Sequence, residues 1–119
     1  MWLFAALGSD DTLIGVAALE EAAPQDLPVP GRGMLLHGIF VKPESMGAGV
    51  GRSLLQASIG ISRELGYEGL LVKSVRQSRS FFERCGLAAC HTAVSTDYPY
   101  RYWQQNRPVR LSTTRAGAG

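Results

Sequence analysis

The stretch VKPESMGAGVGRSLL, Val41–Leu55, places three glycines at alternate positions between an apolar run and a helical pattern. The first amides of a helix have no intrahelical partner, and the helix dipole adds partial positive charge beside them. Gly47, Gly49 and Gly51 would let the backbone approach an anion closely because they have no Cβ, and Arg52 would add a cation at the rim. The stretch therefore predicts a phosphate-binding turn that opens a helix.

The spacing of these glycines narrows the kind of phosphate site. Glycines of this sort can also mark only a tight turn. No Gly-Lys-Ser/Thr follows, so the turn is not a P-loop of the nucleotide-hydrolase kind. A Rossmann turn would need G-x-G-x-x-G near the start of its domain, whereas here G-x-G-x-G follows three predicted strands. The turn alone does not say which phosphate ligand it binds.

The segments before and inside the stretch predict the elements around the turn. Apolar runs at Trp2–Leu7 and Leu13–Leu19, separated by turn residues, predict a β-hairpin. Met34–Val41 is nearly continuously apolar and predicts a central strand covered on both faces. Apolar residues recur at helical spacing over Val50–Leu65, and Gly66 follows as a C-terminal cap.

The segments after the helix complete a mixed α/β pattern. They predict a core strand over Leu70–Val75, a short helix over Ser78–Cys85 and a strand over Leu87–Val94. Asp97–Trp103 contains Pro99 and predicts an edge strand or the entry to a strand. Hairpin strands followed by a strand–helix–strand crossover indicate a mixed sheet with helices on its faces.

Composition bounds the class of protein. Hydrophobic residues make up 45% of the chain and charged residues 18%, which suits one small folded domain, predicted over residues 1–104 with a flexible tail at 105–119. A net charge of +2 is too small to predict a nucleic-acid partner, and the arginines between Arg101 and Arg115 suggest a solvated tail. No run is long enough to span a membrane. Cys85 and Cys90 match neither a disulfide framework nor a zinc pattern, so we expect reduced thiols, no metal and a cytoplasmic protein.

Two blocks of sequence resemble one known family. Val41-x-Pro43 followed by GAGVGRSLL resembles motif A of the GNAT N-acetyltransferases, in which Arg/Gln-x-x-Gly-x-Gly/Ala follows a strand ending Val-x-Pro. SRSFFERCGL, Ser78–Leu87, resembles the family's aromatic-aromatic-Glu-x-x-Gly-Phe segment at the expected distance. The resemblance covers Trp2 to about Trp103. It implies a GNAT-like acyl-CoA acyltransferase fold that lacks the usual first strand and two helices.

The resemblance also implies a donor and its binding residues. Acetyl-CoA would be the co-substrate, with its diphosphate on the glycine-rich turn and its pantetheine arm paired with the central strand like an added strand. The thioester would lie in a gap between this strand and the one at Leu70–Val75. The residues implied to bind the donor are Ile39, Phe40, Val41, Met46, Gly47, Ala48, Gly49, Val50, Gly51, Arg52, Ser53 and Phe82.

Three departures from the family pattern bear on catalysis. Met46 stands where Arg or Gln usually begins the motif, which removes one polar contact but keeps the main-chain amides. Phe82 stands where many members have a tyrosine that protonates the leaving thiolate, and phenylalanine has no proton to give. The missing N-terminal elements normally wall the acceptor site. That side is therefore expected to be open, or completed by a partner subunit in a homodimer, or by another segment of a longer protein.

Candidate catalytic residues follow from the chemistry of acetyl transfer, which needs a neutral amine and hence a base. His37 lies on the central strand, by parity on the same side as Ile39 and Val41. A hydrogen-bonded core histidine is the alternative, and Glu20 and Glu21 are other candidate bases.

A replacement acid could come from the tyrosines near the end of the chain. Tyr98, Tyr100 and Tyr102 are the candidates, and packing on the core or at an interface is the alternative for each.

The predicted function is transfer of acetyl from acetyl-CoA to an amine of a small molecule or protein, by direct attack. The alternative from another class is a catalytically weak acyl-CoA-binding module that acts as a subunit or sensor. A third hypothesis is a binder of another phosphate ligand, in which case the second block would be coincidental.

Overall fold

A computed structural model of the protein describes residues 1–90 and 100–106. Within these residues, six strands form one mixed sheet that carries two α-helices. The predicted order of strands and helices and the α/β class are confirmed. The elements are β1 (Trp2–Leu7), β2 (Leu13–Glu21), β3 (Met34–Val41), α1 (Val50–Glu64), β4 (Gly69–Ser74), α2 (Arg79–Arg84), β5 (Ala88–Ala89) and β6 (Tyr100–Gln105).

The sheet has the strand order β1-β2-β3-β4-β6-β5. Strands β3 and β4 are parallel and every other neighbouring pair is antiparallel. Of the two alternatives predicted for Asp97–Trp103, the edge strand is wrong, because β6 lies between β4 and β5 and buries Arg101, Tyr102 and Trp103. The entry to a strand is compatible with β6, which is described from Tyr100 onward. Among the described residues, its pairing with β4 begins at Tyr100; Pro99 lies outside them.

Helix α1 covers one face of the sheet, called here the α1 face. Its buried side is formed by Leu54, Leu55, Ser58, Ile59 and Ser62. Both serine hydroxyls donate to helix carbonyls at 2.8 Å, so these small side chains are buried with their polar atoms satisfied. The helix ends as predicted, since Gly66 has a φ of 82° and its amide donates to the Arg63 carbonyl.

The core lies on both sides of the inner strands. On the α1 face, Leu19, Met34, Leu36 and Leu70 are fully or almost fully buried among the helix residues. On the opposite face, called here the open face, a smaller cluster is covered by the segment that follows β2. This second cluster consists of Ala22, Leu35, Leu71 and Trp103, with Leu27, Val29 and Cys90 packed against it.

The end of β6 is tied to the rest of the domain. The side-chain amide of Asn106 donates to Ser62 Oγ at 2.9 Å and to the Tyr67 carbonyl at 3.2 Å. Asn106 lies two residues past the predicted domain boundary at 104. Arg101 is only 7% exposed and lies 3.8 Å from Asp26, so its prediction as part of a solvated tail is wrong. The rest of the predicted tail, and the predicted strand beyond Cys90, lie outside the described residues.

In the part of the chain that the structure describes, neither helix has the length and apolar character needed to cross a bilayer.

Candidate functional site

Strands β3 and β4 separate halfway along their length. They pair at Met34–Leu70, Leu35–Leu71 and Leu36–Val72, and the ladder between these two described strands then stops. Both strands continue, but within the described residues the second half of β3 is paired only with β2, from Ala18–Gly38 to Gly15–Val41. The prediction that β3 is covered on both faces is wrong beyond Leu36, because His37, Gly38 and Phe40 are exposed. The edge of β3 that faces β4 borders a gap there.

This gap opens into a cavity of about 630 Å³. The cavity is bounded by the ends of β3 and β4, the loop over residues 45–49, the first turn of α1, and α2. Nine of the twelve residues predicted to bind the donor line it, so the sequence motif and the gap form one site. Those nine are Ile39, Val41, Met46, Gly47, Gly49, Val50, Gly51, Arg52 and Phe82; Phe40, Ala48 and Ser53 do not line it.

Glycine is favoured at the three positions of the turn for different structural reasons. Gly47 and Gly49 have φ values of 85° and 80°, a region that costs other L-residues about 1–2 kcal/mol. Gly51 has an ordinary helical backbone, but a Cβ there would lie 3.3 Å from the Phe81 ring on α2. The first two glycines thus shape the turn, and the third lets α1 and α2 approach each other.

The first turn of α1 presents backbone donors to the cavity. Gly49 is the N-cap and has no side chain to accept from the first amides. The Ser53 amide makes the first intrahelical bond, to the Gly49 carbonyl at 3.0 Å, so the amides of Val50, Gly51 and Arg52 have no partner within the helix. The Arg52 guanidinium donates to the Arg84 carbonyl of α2 at 3.4 Å. A phosphate at this turn would meet amides, the helix dipole and a nearby cation.

The open side of β3 offers a second set of backbone groups. The Lys42 amide donates to the Ile14 carbonyl of β2 at 2.9 Å. Because polar backbone groups alternate in direction along a strand, those of Phe40 also point toward β2, and those of Ile39 and Val41 point into the gap. An extended ligand can therefore pair with Ile39 and Val41 as an added strand.

A β-bulge places His37 at the point where the strands separate. Ala18 pairs with Gly38 and the next residue, Leu19, pairs with Leu36, so the register skips His37. The bulge shifts the alternation: Leu36 and Ile39 both pack on the α1 face, whereas His37 contacts Glu20 on the open face. The parity prediction that His37 shares a side with Ile39 and Val41 is therefore wrong. His37 nevertheless lines the cavity.

The aromatic pair of α2, Phe81 and Phe82, lines the cavity. Phe82 is 5% exposed, lines the cavity and packs against Tyr102, with ring centroids 5.8 Å apart. The Tyr102 hydroxyl donates to Glu83 Oε2 at 3.2 Å. Burial, with this hydrogen bond, raises the pKa of Tyr102 to about 12, so the phenol keeps its proton near neutral pH.

Of the other two tyrosines predicted as acids, the structure describes Tyr100, which does not join this arrangement. Tyr100 is absent from the cavity lining; its hydroxyl accepts from Arg79 Nη1 at 3.4 Å, and the same guanidinium lies 5.1 Å from its ring centroid. Tyr98 lies outside the described residues.

Several cavity residues were not predicted from the sequence. Ser78, Phe81 and Cys85 line it together with Phe82, a helical spacing that could have identified this face of α2. The end of β4 contributes Lys73 and Ser74, and Val75 follows it; the pattern of these residues carries no comparable signal. Among residues 1–90 and 100–106, no group of three or more His, Cys, Asp or Glu side chains is arranged to hold a metal.

The chain matches one family model and many solved structures. The model is that of the Acetyltransferase (GNAT) family, over residues 1–87. A protein assigned to the GNAT acetyltransferases from Desulfovibrio desulfuricans is 23% identical, with a TM-score of 0.69 over 88% of this chain and 68% of its own. The Bacillus subtilis N-acetyltransferase YlbP, solved with coenzyme A, is 13% identical, with a TM-score of 0.67 over 87% of this chain and 66% of its own.

A third structure, AtaT complexed with acetyl-methionyl-tRNAfMet, is 13% identical, with a TM-score of 0.63 over 82% of this chain and 65% of its own. The chain thus spans about two thirds of the length of each of these proteins. At such identities the likeness shows the fold. A comparison with curated proteins gave no significant match. The family model covers most of the chain, including the glycine-rich turn and the segment of α2, and the fold agrees with it. The chain therefore belongs to the GNAT family of acetyltransferases.

Proposed function

We propose that this protein transfers an acetyl group from acetyl-CoA to an amine of a small molecule or a protein, by direct attack and without an acyl-enzyme. The observation that carries the proposal is the gap between β3 and β4, which opens directly beside the amino end of α1. One cavity thus joins an anion site to an open strand edge. Acetyl-CoA has a diphosphate followed by an extended amide-containing arm, which suits both parts.

The donor would bind along this cavity in one direction. Its diphosphate takes the amides at the start of α1, and Arg52 lies at the rim. Its pantetheine arm pairs with Ile39 and Val41, whose backbone groups point into the gap. The thioester then reaches the level of Leu36–Val72, where the two strands begin to separate. His37 borders the cavity at this level.

The transfer itself needs one base and one route for the leaving thiolate. His37 takes a proton from the acceptor amine as its nitrogen attacks the acetyl carbonyl carbon. The C–N bond forms, and the C–S bond breaks with its electron pair on sulfur. Phe82 donates no proton, and Tyr100 is turned toward Arg79, so in this proposal the thiolate takes its proton from solvent.

The acceptor would approach from the open face, on which His37 and Glu20 lie. This face exposes Phe40 on β3 and Leu3 on β1, and the described residues do not cover it, so they do not form the acceptor wall. We propose that a second copy of the chain completes this wall in a cytoplasmic homodimer. AtaT is seen with an acetylated aminoacyl-tRNA. A charged tRNA is therefore a third acceptor class to compare with small amines and proteins.

The second candidate function is an acyl-CoA-binding module without significant turnover. It is favoured by Phe82, which fills the position of the family's acid and is buried against Tyr102. Both candidates bind acetyl-CoA and differ only in turnover.

Two measurements test these proposals in order. Thermal unfolding with acetyl-CoA, ATP or NAD tests the donor: a rise in Tm with acetyl-CoA alone is expected, and no rise at saturating acetyl-CoA would refute both candidates. Release of the CoA thiol against a panel of small amines, peptides and charged tRNA then separates enzyme from module. His37→Gln should lower kcat by about 10²- to 10⁴-fold while acetyl-CoA affinity is kept. Wild-type turnover by that variant would exclude His37 as the base.

A further inference from the structure

His37 has a carboxylate partner that the bulge brings within reach. Nε2 of His37 lies 2.7 Å from Oε1 of Glu20, and the two side chains are 42% and 41% exposed. Glu20 pairs with Leu35 across the β2–β3 ladder and therefore points to the open face, as Leu35 does. In a regular ladder, His37 would be paired with a residue of β2. The bulge leaves His37 out of the pairing, with its side chain beside Glu20.

The contact bears on which ring nitrogen carries a proton. The two atoms lie at ion-pair distance, and a carboxylate only accepts hydrogen bonds, so an attractive contact between them requires a proton on Nε2. In the neutral imidazole the other nitrogen, Nδ1, then holds the lone pair. The second half of β3 keeps its pairing with β2, which holds the backbone of both residues in place.

We propose that Glu20 is a positioning residue, which accepts the Nε2 proton of His37 and so keeps Nδ1 as the nitrogen that takes the proton of the acceptor amine. This rests on the proposed function. During transfer the proton passes from the attacking nitrogen to Nδ1 while the C–N bond forms, and the C–S bond breaks with its electron pair on sulfur. Glu20 stabilises the imidazolium that results, and Nδ1 returns its proton to solvent when the product leaves.

The neighbouring Glu21 provides a matched control on the same strand. It pairs with Met34, so it points to the α1 face, and its carboxylate accepts from the Arg32 guanidinium. Glu20 and Glu21 thus have the same side chain and adjacent positions, but only Glu20 contacts His37. Replacing either one removes one negative charge from the end of β2.

The charged groups around the dyad are on neighbouring elements. Lys73 of β4 lines the cavity, and its ammonium is held by Asp26 at 2.9 Å. It therefore has a carboxylate partner of its own, at the segment that follows β2. Within the described residues, the contact recorded for Glu20 is the one with His37.

The test compares Glu20→Ala, Glu20→Asp and Glu21→Ala in the full chain, using the ¹⁵N spectrum of the His37 ring without ligand and steady-state kinetics. At a pH where the ring is neutral, the wild type and Glu21→Ala should show the Nε2–H tautomer, and Glu20→Ala a mixture of both. Glu20→Ala should lower kcat at least about 10-fold with little change in KM for acetyl-CoA, and Glu20→Asp should restore part of it.

An unchanged His37 tautomer in Glu20→Ala would overturn the inference, as would wild-type kcat in that variant. In an enzyme that His37→Gln inactivates, such a result would leave the proposed function standing and remove only the role of Glu20. If the wild type releases no thiol with any acceptor, both the proposed function and this inference fail. Circular dichroism of each variant shows that the fold is kept.

Discussion

The glycine at the N-cap of α1 allows a sharp test of the diphosphate site, using Gly49→Glu and Gly49→Gln. A Cβ at this position would meet no atom within 4 Å, so either side chain can project into the cavity that Gly49 lines. Both variants carry the same backbone strain, because the φ of 80° disfavours any L-residue by about 1–2 kcal/mol. The two side chains have almost the same size, so the difference between them reports on charge.

The expected size of this difference follows from Coulomb's law. A carboxylate about 5 Å from one phosphate charge is repelled by about 0.8 kcal/mol in bulk water and by about 3 kcal/mol at an effective dielectric constant of 20. Glu should therefore weaken coenzyme A binding about 4- to 150-fold relative to Gln. The difference in affinity between the two variants should decrease as salt is added, because the site is partly open to solvent.

Calorimetric titration of coenzyme A into the wild type and both variants measures this difference directly. Urea unfolding without ligand checks that the two variants have lost equal stability. Equal affinity of Gly49→Glu and Gly49→Gln, at a value close to that of the wild type, would refute the placement of the diphosphate at this helix terminus.

Two further predictions concern stability. Tyr102 has a pKa of about 12 in the folded chain, above the ordinary tyrosine value of 10.0, so between these values the folded state keeps a proton that the unfolded state loses. Its contribution is fully present below pH 10 and declines by about 2–3 kcal/mol as the pH rises toward 12. Urea unfolding across this pH range should show a falling free energy of unfolding in the wild type and a smaller fall in Tyr102→Phe. Parallel curves for the two proteins would contradict this prediction. Gly60→Ala should stabilise α1 by about 0.5–1 kcal/mol, since the added methyl meets nothing within 4 Å. A lower Tm for this variant would contradict that.

The elements of the fold were predictable because their signals are local. Helix α1 has an apolar pattern and a glycine just past its end, and β3 was predicted over the same residues that the structure shows. The position of β6 was not predictable in this way. Pro99 indicated an edge, but the strand that follows it pairs with β4 on one side and β5 on the other, which depends on the tertiary arrangement.

The lining of the cavity was predicted better around the glycine-rich turn than around His37. The turn is a continuous motif, and most of its residues line one cavity. The side on which His37 lies was predicted wrongly because Leu36-His37-Gly38 gives no sign of a bulge. The gap between β3 and β4 was implied by the family resemblance and not by the residues themselves, since both strands continue as strands past the last pair. Lys73 and Ser74 reach the cavity only because of that gap.

The most direct test of the central claim is a titration of the ¹⁵N-labelled protein with coenzyme A, followed by the backbone amide signals. The account predicts the largest shifts at the first turn of α1, residues 49–52, and at Ile39 and Val41 on the open edge of β3. The amide of Phe40, which points toward β2, should move less. Shifts confined to the open face around Leu3 and Phe40, or no shifts at saturating coenzyme A, would contradict the account.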